Sequence, residues 1–249
     1  MINKLNKSKP KKLLIVLFIA VFALFLTSCT AQTPPRSAIA DYDYSEMRLS
    51  QLDIIAGQID VERPIVVITT TFGVIRVALF PEYAPNTVAN FIARVEEGFY
   101  DDSAILAIQD EAFFQAGVNS DGIAHEIEIE NEYSPNMWPF RGALGGYGTT
   151  QGISDSRFFI VDELTLTYSE RERLGEMLVD GENTLPDKLL EAFDEIGGAI
   201  PLSGIFTIFG QVIDVQSLEV VSKIVATDVD RLSRPREEIK IITIELESS

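Results

Sequence analysis

The sequence predicts a mainly β domain, a closed or nearly closed antiparallel barrel with two capping helices and a helical insertion. Three observations predict it. Short β-rich runs separated by glycine-containing turns recur from Ile65 to Leu246. Only two amphipathic helical stretches flank those runs, Ala84 to Glu97 and Leu218 to Ala226. Between Val161 and Gly204 the texture changes to helix and then returns to strand.

Each element has a local reason. Ile65 to Thr71 and Gly73 to Phe80 read as a hairpin, with Gly73 where a tight turn needs it. In APNTVANFIARVEE, Val88, Phe91, Ile92 and Val95 form one apolar stripe on a helix that begins just after Pro85 and stops at Gly98. Phe99 to Ile108 and Ala112 to Gly117 follow as short strands, then the acidic EIEIENE run, a glycine-rich loop over Arg141 to Gly152, and a strand over Ser156 to Val161. Ser169 with Glu172 makes a capping box, and Thr184, Pro186 and Asp187 start a second helix that stops at Gly197-Gly198. This insertion spans 162–198. Ile205 to Val212 resumes the sheet, and Ile239 to Leu246 alternates as a final half-exposed strand.

The ends and the charge bound the setting. Five lysines in the first twelve residues precede an apolar run from Leu13 to Leu26, too short for a comfortable membrane span and suited to an export signal over residues 1–28. It closes on Leu26-Thr27-Ser28-Cys29, which resembles the lipobox of bacterial lipoproteins, so Cys29 is the expected lipidation site. Cys29 is the only cysteine, which excludes an internal disulfide. Cleavage there leaves 15 basic against 38 acidic residues, taking the net charge from −18 to −23. Such a surface repels nucleic acid and anionic lipid head groups. Residues 29–63 read as a tether and 64–247 as one well-cored domain. The expected location is extracytoplasmic, on the bacterial cell membrane through the Cys29 anchor.

Six segments together resemble the cyclophilins, the eight-stranded barrel family of peptidyl-prolyl isomerases. They are Ala84-Pro85-x-Thr87-Val88-x-Asn90-Phe91, Gly98-Phe99-Tyr100-Asp101, Gln115-x-Gly117, Arg141-Gly142-x-Leu144, Ser156-x-Phe158-Phe159-Ile160 and Phe209-Gly210-x-Val212, in family order. The resemblance implies rotation about an Xaa-Pro amide, whose resonance barrier is near 20 kcal/mol. No bond breaks and no cofactor or metal is implied. Catalysis requires only that the twisted amide bind better than the planar one. In the family an apolar pocket grips the proline ring, and an Arg aims a cationic donor at the prolyl nitrogen.

Laid on this chain, the family pattern puts Leu106 at the conserved His, Ala107 at the catalytic Arg and Ala112 at a pocket aromatic. The groove His falls on Phe206, the nearby Trp on Pro201, and the Met-Ala-Asn floor on Gly146-Tyr147-Gly148. Gln115 and Phe159 match the substrate-backbone Gln and a pocket Phe, so Gln115, Phe159, Tyr147 and Phe206 are the expected substrate-binding residues. Arg157 replaces a polar Gln and shares a strand face with Phe159. Two readings of it stand: a substitute donor over the groove from the opposite wall, or an arginine paired with a carboxylate of this acidic surface.

His125 reads as a surface histidine, Glu126, Glu128, Glu130 and Glu132 as a solvated strand face, and Trp138 as loop packing. There is no phosphate loop, zinc spacing or nucleophile elbow. The expectation is a cyclophilin-type isomerase of weakened activity acting on proline-containing or extended polypeptides. Its alternative is a non-catalytic peptide-binding or chaperone-like lipoprotein on the same fold.

Overall fold

The computed structural model describes residues 43–57, 63–109, 112–150, 152–164, 169 and 185–247. The export signal, Cys29, the first part of the tether and, apart from Ser169 itself, the first insertion helix lie outside the described residues.

The helix α1 (Ser50–Ile55) precedes the hairpin of β1 (Ile65–Thr70) and β2 (Gly73–Leu79). Then come α2 (Pro85–Glu96), β3 (Ser103–Ala104), β4 (Ala107–Gln109), β5 (Phe113–Ala116), β6 (Ile129–Glu130), β7 (Ala143–Gly146), β8 (Ile153–Ser154) and β9 (Phe158–Val161). The chain closes with α3 (Asp187–Ile196), β10 (Ile208–Val212), α4 (Val215–Val225) and β11 (Lys240–Leu246). In the main sheet the order is β3-β11-β1-β2-β10-β7-β9-β5-β4, with every pairing antiparallel.

The two edges of this sheet are one stretch of chain. Only Ile105 and Leu106 separate β3 from β4; Ile105 N–H donates to Ile239 O at 2.9 Å, and Leu106 N–H donates to Gln115 O at 2.7 Å, on the other side. Residues 103–109 therefore close the ring as a single bent strand, and the barrel has eight strands. Closure removes the unpaired sheet edges that invite association.

Inward residues fill the barrel. Ile108, Phe114, Ile160 and Leu144 are cross-strand neighbours and belong to one buried core with Val66, Ile68, Ile75 and Val77. The helix α2 caps one end with its predicted stripe: Phe91 meets Phe158 at 5.5 Å and Phe209 at 5.3 Å between ring centroids. Val220, Val221, Ile224 and Val225 of α4 join the same core. Gly73 is required at the hairpin corner, since its φ is 138° and a Cβ would stand 2.7 Å from a Val220 methyl.

Several element boundaries differ from expectation; β10 begins at Ile208 rather than Ile205, and α4 at Val215 rather than Leu218. The strand expected over Phe99 to Ile108 begins only at Ser103, because Gly98 (φ 66°) and Asp102 (φ 55°) turn the chain first. The glycine-rich stretch from Arg141 to Gly152, expected to be a loop, contains β7 at the centre of the sheet. Its glycines answer close packing: a Cβ on Gly145 would fall 2.1 Å from Phe159 Cζ. Finally, residues 43–57 do not run free as part of a tether. Leu49, Gln51 and Ile54 are buried, and the Gln51 amide takes Trp138 N–H at 2.7 Å and donates to Trp138 O at 2.8 Å and Gln211 Oε1 at 2.9 Å. Together with α3, this segment builds a second apolar core around Trp138, Phe140 and Phe193.

Candidate functional site

Sheet register assembles the site. Ala107 pairs with Gln115, Gln115 with Phe159 and Phe159 with Gly145, so these four residues form one row across β4, β5, β9 and β7. Their neighbours along each strand point into the barrel. Alternation therefore puts the row on the outer face. Three of the sequence-predicted positions, Ala107, Gln115 and Phe159, thus come together.

Aromatic side chains cover the row at Phe159, which is only 1% exposed. Its ring lies across Gly145, with Phe113 at 5.5 Å and Phe206 at 5.3 Å in tilted and edge-on contact. Phe206 stacks in turn on Tyr147 at 5.7 Å, and the Arg157 guanidinium sits over Tyr147 at 5.2 Å from the ring centroid. Leu106 and Ala112 serve the backbone: Leu106 N–H ties β4 to β5, and Ala112 closes the β4–β5 turn on Gln109 O at 2.7 Å. Pro201 is half-buried in the short 3-10 turn Ile200–Leu202.

Arg157 is committed elsewhere. Asp155 accepts from Arg157 Nε through Oδ1 at 3.0 Å and Oδ2 at 3.1 Å, from Nη2, and from the Arg157 backbone N–H at 2.8 Å. These hydrogen bonds to the carboxylate raise the guanidinium pKa further above its ordinary value. From the usual strand spacing and rise, the backbone at residue 157 is roughly 12 Å from that at residue 107. Arg157, held by Asp155, therefore does not stand where a donor would meet an amide seated against Gln115.

Sequence reasoning missed two supports. Glu132, expected on a solvated face, caps α2: its Oε1 accepts Asn86 N–H and Nδ2–H, and its Oε2 accepts Thr87 N–H at 2.9 Å and Oγ1–H at 2.7 Å. Its own N–H donates to Thr207 Oγ1 at 2.8 Å, beside Phe206. Asn131 donates to Ile205 O at 2.9 Å, on the other side of Phe206. A carboxylate at a helix start is a recognisable signal, but 45 residues separate it from the helix it caps. His125 is half-buried rather than free on the surface: Arg94 Nη1–H donates to its Nε2 at 2.9 Å, and its ring meets Phe99. It lines a cavity of about 420 Å³ beyond Gly148, with Glu126, Glu128 and Asp155. Trp138 is 1% exposed and packs the second core, as its loop-packing reading required.

A closed antiparallel barrel with two end helices and a Gln/Phe row on its outer face defines a cyclophilin-like protein. Residues 65–246 match the family described as "Cyclophilin type peptidyl-prolyl cis-trans isomerase/CLD". A Streptococcus pyogenes protein, provisionally named a bifunctional phosphatase/peptidyl-prolyl cis-trans isomerase, is 30% identical over 214 residues; the match covers 82% of this chain and 44% of the relative. A Staphylococcus aureus protein, provisionally named a peptidyl-prolyl cis-trans isomerase, is 29% identical, with 73% of this chain and 91% of the relative covered. The crystal structure of a Cryptosporidium parvum cyclophilin type peptidyl-prolyl cis-trans isomerase shares the fold at TM-score 0.56 and 20% identity, covering 75% of this chain and 99% of that one. The chain belongs to the cyclophilin-type peptidyl-prolyl cis-trans isomerase family.

Proposed function

We propose that this chain binds proline-containing or extended polypeptides outside the cytoplasm, held to the membrane by a lipid on Cys29, and catalyses their Xaa-Pro isomerisation weakly. The observation that carries the reading is the row Ala107–Gln115–Phe159. It keeps the residue that meets a substrate backbone and the aromatic of a prolyl pocket, and it has a methyl group where the family has its cation.

The chemistry follows from what remains. Twisting the prolyl amide localises a lone pair on nitrogen, and a preorganised donor aimed there stabilises the twisted state over both planar ones. Ala107 offers none, and Arg157 is bound to Asp155. Losing one such donor typically costs about 10²- to 10³-fold in rate. Gln115 can still orient the flanking chain. The acidic surface favours neutral or cationic segments.

NMR exchange spectroscopy on a short Xaa-Pro peptide, with and without the purified domain, tests the reading. Expected is line broadening on binding with acceleration well below that of family members carrying the Arg. A second reading, a binding module with no turnover, is favoured by the burial of Phe159 under Phe206; binding with no acceleration at all selects it. Absence of peptide binding overturns both. For the anchor, metabolic labelling with a radioactive fatty acid should mark the wild-type chain and not Cys29→Ser; equal labelling would refute lipidation at Cys29.

A further inference from the structure

We propose that Phe206 is an internal plug of the pocket beside Phe159, so that the peptide groove of this chain is closed by its own side chain and opens only when a prolyl segment displaces it. The proposal rests on the reading of this face as a polypeptide site, and it names how that site is regulated.

On the outer face two aromatic rings, Phe113 and Phe206, cover Phe159. Phe206 sets the edge of its ring on Phe159 at 5.3 Å, and Tyr147 backs it in a stack at 5.7 Å. Arg157, anchored by Asp155, sits over the Tyr147 ring. Phe206 itself remains half-exposed while the ring beneath it is only 1% exposed. An aromatic ring seated on Phe159 presents the kind of flat apolar surface that a proline ring would present.

The segment carrying Phe206 is built so that this one residue can move. Ile205 is held through its carbonyl by Asn131 Nδ2–H at 2.9 Å and by the Tyr133 hydroxyl at 3.3 Å. Thr207 is held through its carbonyl by Gly146 N–H at 2.9 Å and through Oγ1 by Glu132 N–H at 2.8 Å. Between these anchors, the Phe206 main chain makes no hydrogen bond among the described residues. Swinging the ring away therefore breaks apolar contact only, with no backbone bond to lose. Two residues earlier, Gly204 adopts φ 67°, open to glycine at no steric cost. Next to it, the Ser203 hydroxyl is buried and has no hydrogen-bond partner among the described residues. A buried unpaired hydroxyl is a cost that the closed arrangement carries.

A plug lowers apparent affinity by the fraction of molecules in which the pocket is open. A ligand opens the pocket only through its preference for the open form. Ala-Ala-Pro-Phe and its control Ala-Ala-Ala-Phe, titrated into the isotope-labelled domain and followed by amide chemical shifts, read this directly. Phe206→Ala should lower the Kd for the prolyl peptide about tenfold, as expected for a pocket open in about a tenth of molecules, and leave the control unchanged. Equal prolyl affinity in wild type and variant overturns the plug while leaving the polypeptide reading intact. Failure of both proteins to bind any prolyl peptide overturns that reading and the plug with it. The wild-type chain provides a test that needs no variant: ring-to-ring nuclear Overhauser effects between Phe206 and Phe159 should vanish as the peptide saturates the site. Their persistence at saturation refutes the proposal.

Discussion

Asp155 grips Arg157 through both carboxylate oxygens and so withholds from the groove the one guanidinium that shares a strand face with Phe159. Both side chains are largely buried, at 18% and 16% exposure. Arg157→Ala should therefore change catalysed Xaa-Pro exchange by less than about twofold, far below the loss a true donor produces. Asp155→Ala, by contrast, strands a buried guanidinium and should cost about 2–3 kcal/mol of stability. Exchange spectroscopy reads the first and urea unfolding the second; a hundredfold loss of exchange in Arg157→Ala would identify it as the donor after all.

Ala107 offers the converse experiment. It is half-buried at the edge of the row, directly across from Gln115, so an arginine introduced there starts from the position that the resemblance assigns to the family's Arg. Ala107→Arg should raise the exchange rate by about 10²-fold, the value of one preorganised donor. An unchanged rate would mean that access to Phe159, rather than the missing charge, limits turnover.

Much of this was legible before any coordinates. The hairpin, the Val88/Phe91/Val95 stripe and the stop at Gly197-Gly198 all follow from local rules of periodicity and turn chemistry, and the structure keeps them. What failed to show were relations between distant residues. Gly145 reads as loop because its reason, the Phe159 ring, comes fourteen positions later in sequence and on another strand. Residues 43–57 read as tether because Gln51 finds its partners at Trp138 and Gln211, long-range hydrogen bonds that no spacing encodes. Glu132 reads as solvated strand because alternation says nothing of the helix end it serves.

Glu132 supplies four acceptor contacts to the first turn of α2 and has no backup there, since Ala84 at the N-cap offers no side-chain bond. Glu132→Ala should destabilise the domain by about 2 kcal/mol, the upper end for an N-cap. Glu132→Gln, which keeps one carbonyl oxygen, should cost clearly less. Thermal unfolding of the pair checks this, and equal midpoints for wild type and alanine variant would show the cap to be dispensable.

The turn before β11 carries a pH signature. The Asp230 carboxyl accepts from the Arg234 guanidinium and from the Arg234 and Leu232 N–H groups, which pull its pKa down to about 2. The ordinary value is about 3.9. A depressed carboxylate favours the folded turn above the ordinary value, and the contribution disappears as pH falls from about 4 through about 2. Carbon-detected NMR of the Asp230 carboxyl should show a midpoint near 2, and Asp230→Asn should remove that part of the acid dependence. A midpoint near the ordinary value would mean the turn does not hold the charge.

The docked segment before β1 decides where the folded unit begins. Leu49 and Ile54 are 6% and 2% exposed, and Gln51, fully buried, satisfies both the N–H and the C=O of Trp138. Removing the segment takes the Gln51 amide away from the Trp138 N–H, from the Trp138 C=O, which still accepts the Phe140 N–H at 2.8 Å, and from the Gln211 Oε1 in an apolar setting. Each unsatisfied buried group costs about 1–3 kcal/mol. A chain beginning at Pro64 should therefore be less stable than one beginning at Asp43 by at least about 2 kcal/mol, and Gln51→Ala in the longer chain should reproduce much of that loss. Burial against the Trp138 ring also pushes the Tyr44 phenol up to about 12. Absorbance at alkaline pH then reports docking independently: a Tyr44 that titrates in the ordinary range near 10 in the longer chain would show that the segment is not seated. Equal unfolding midpoints for the two chains would return residues 43–57 to the tether.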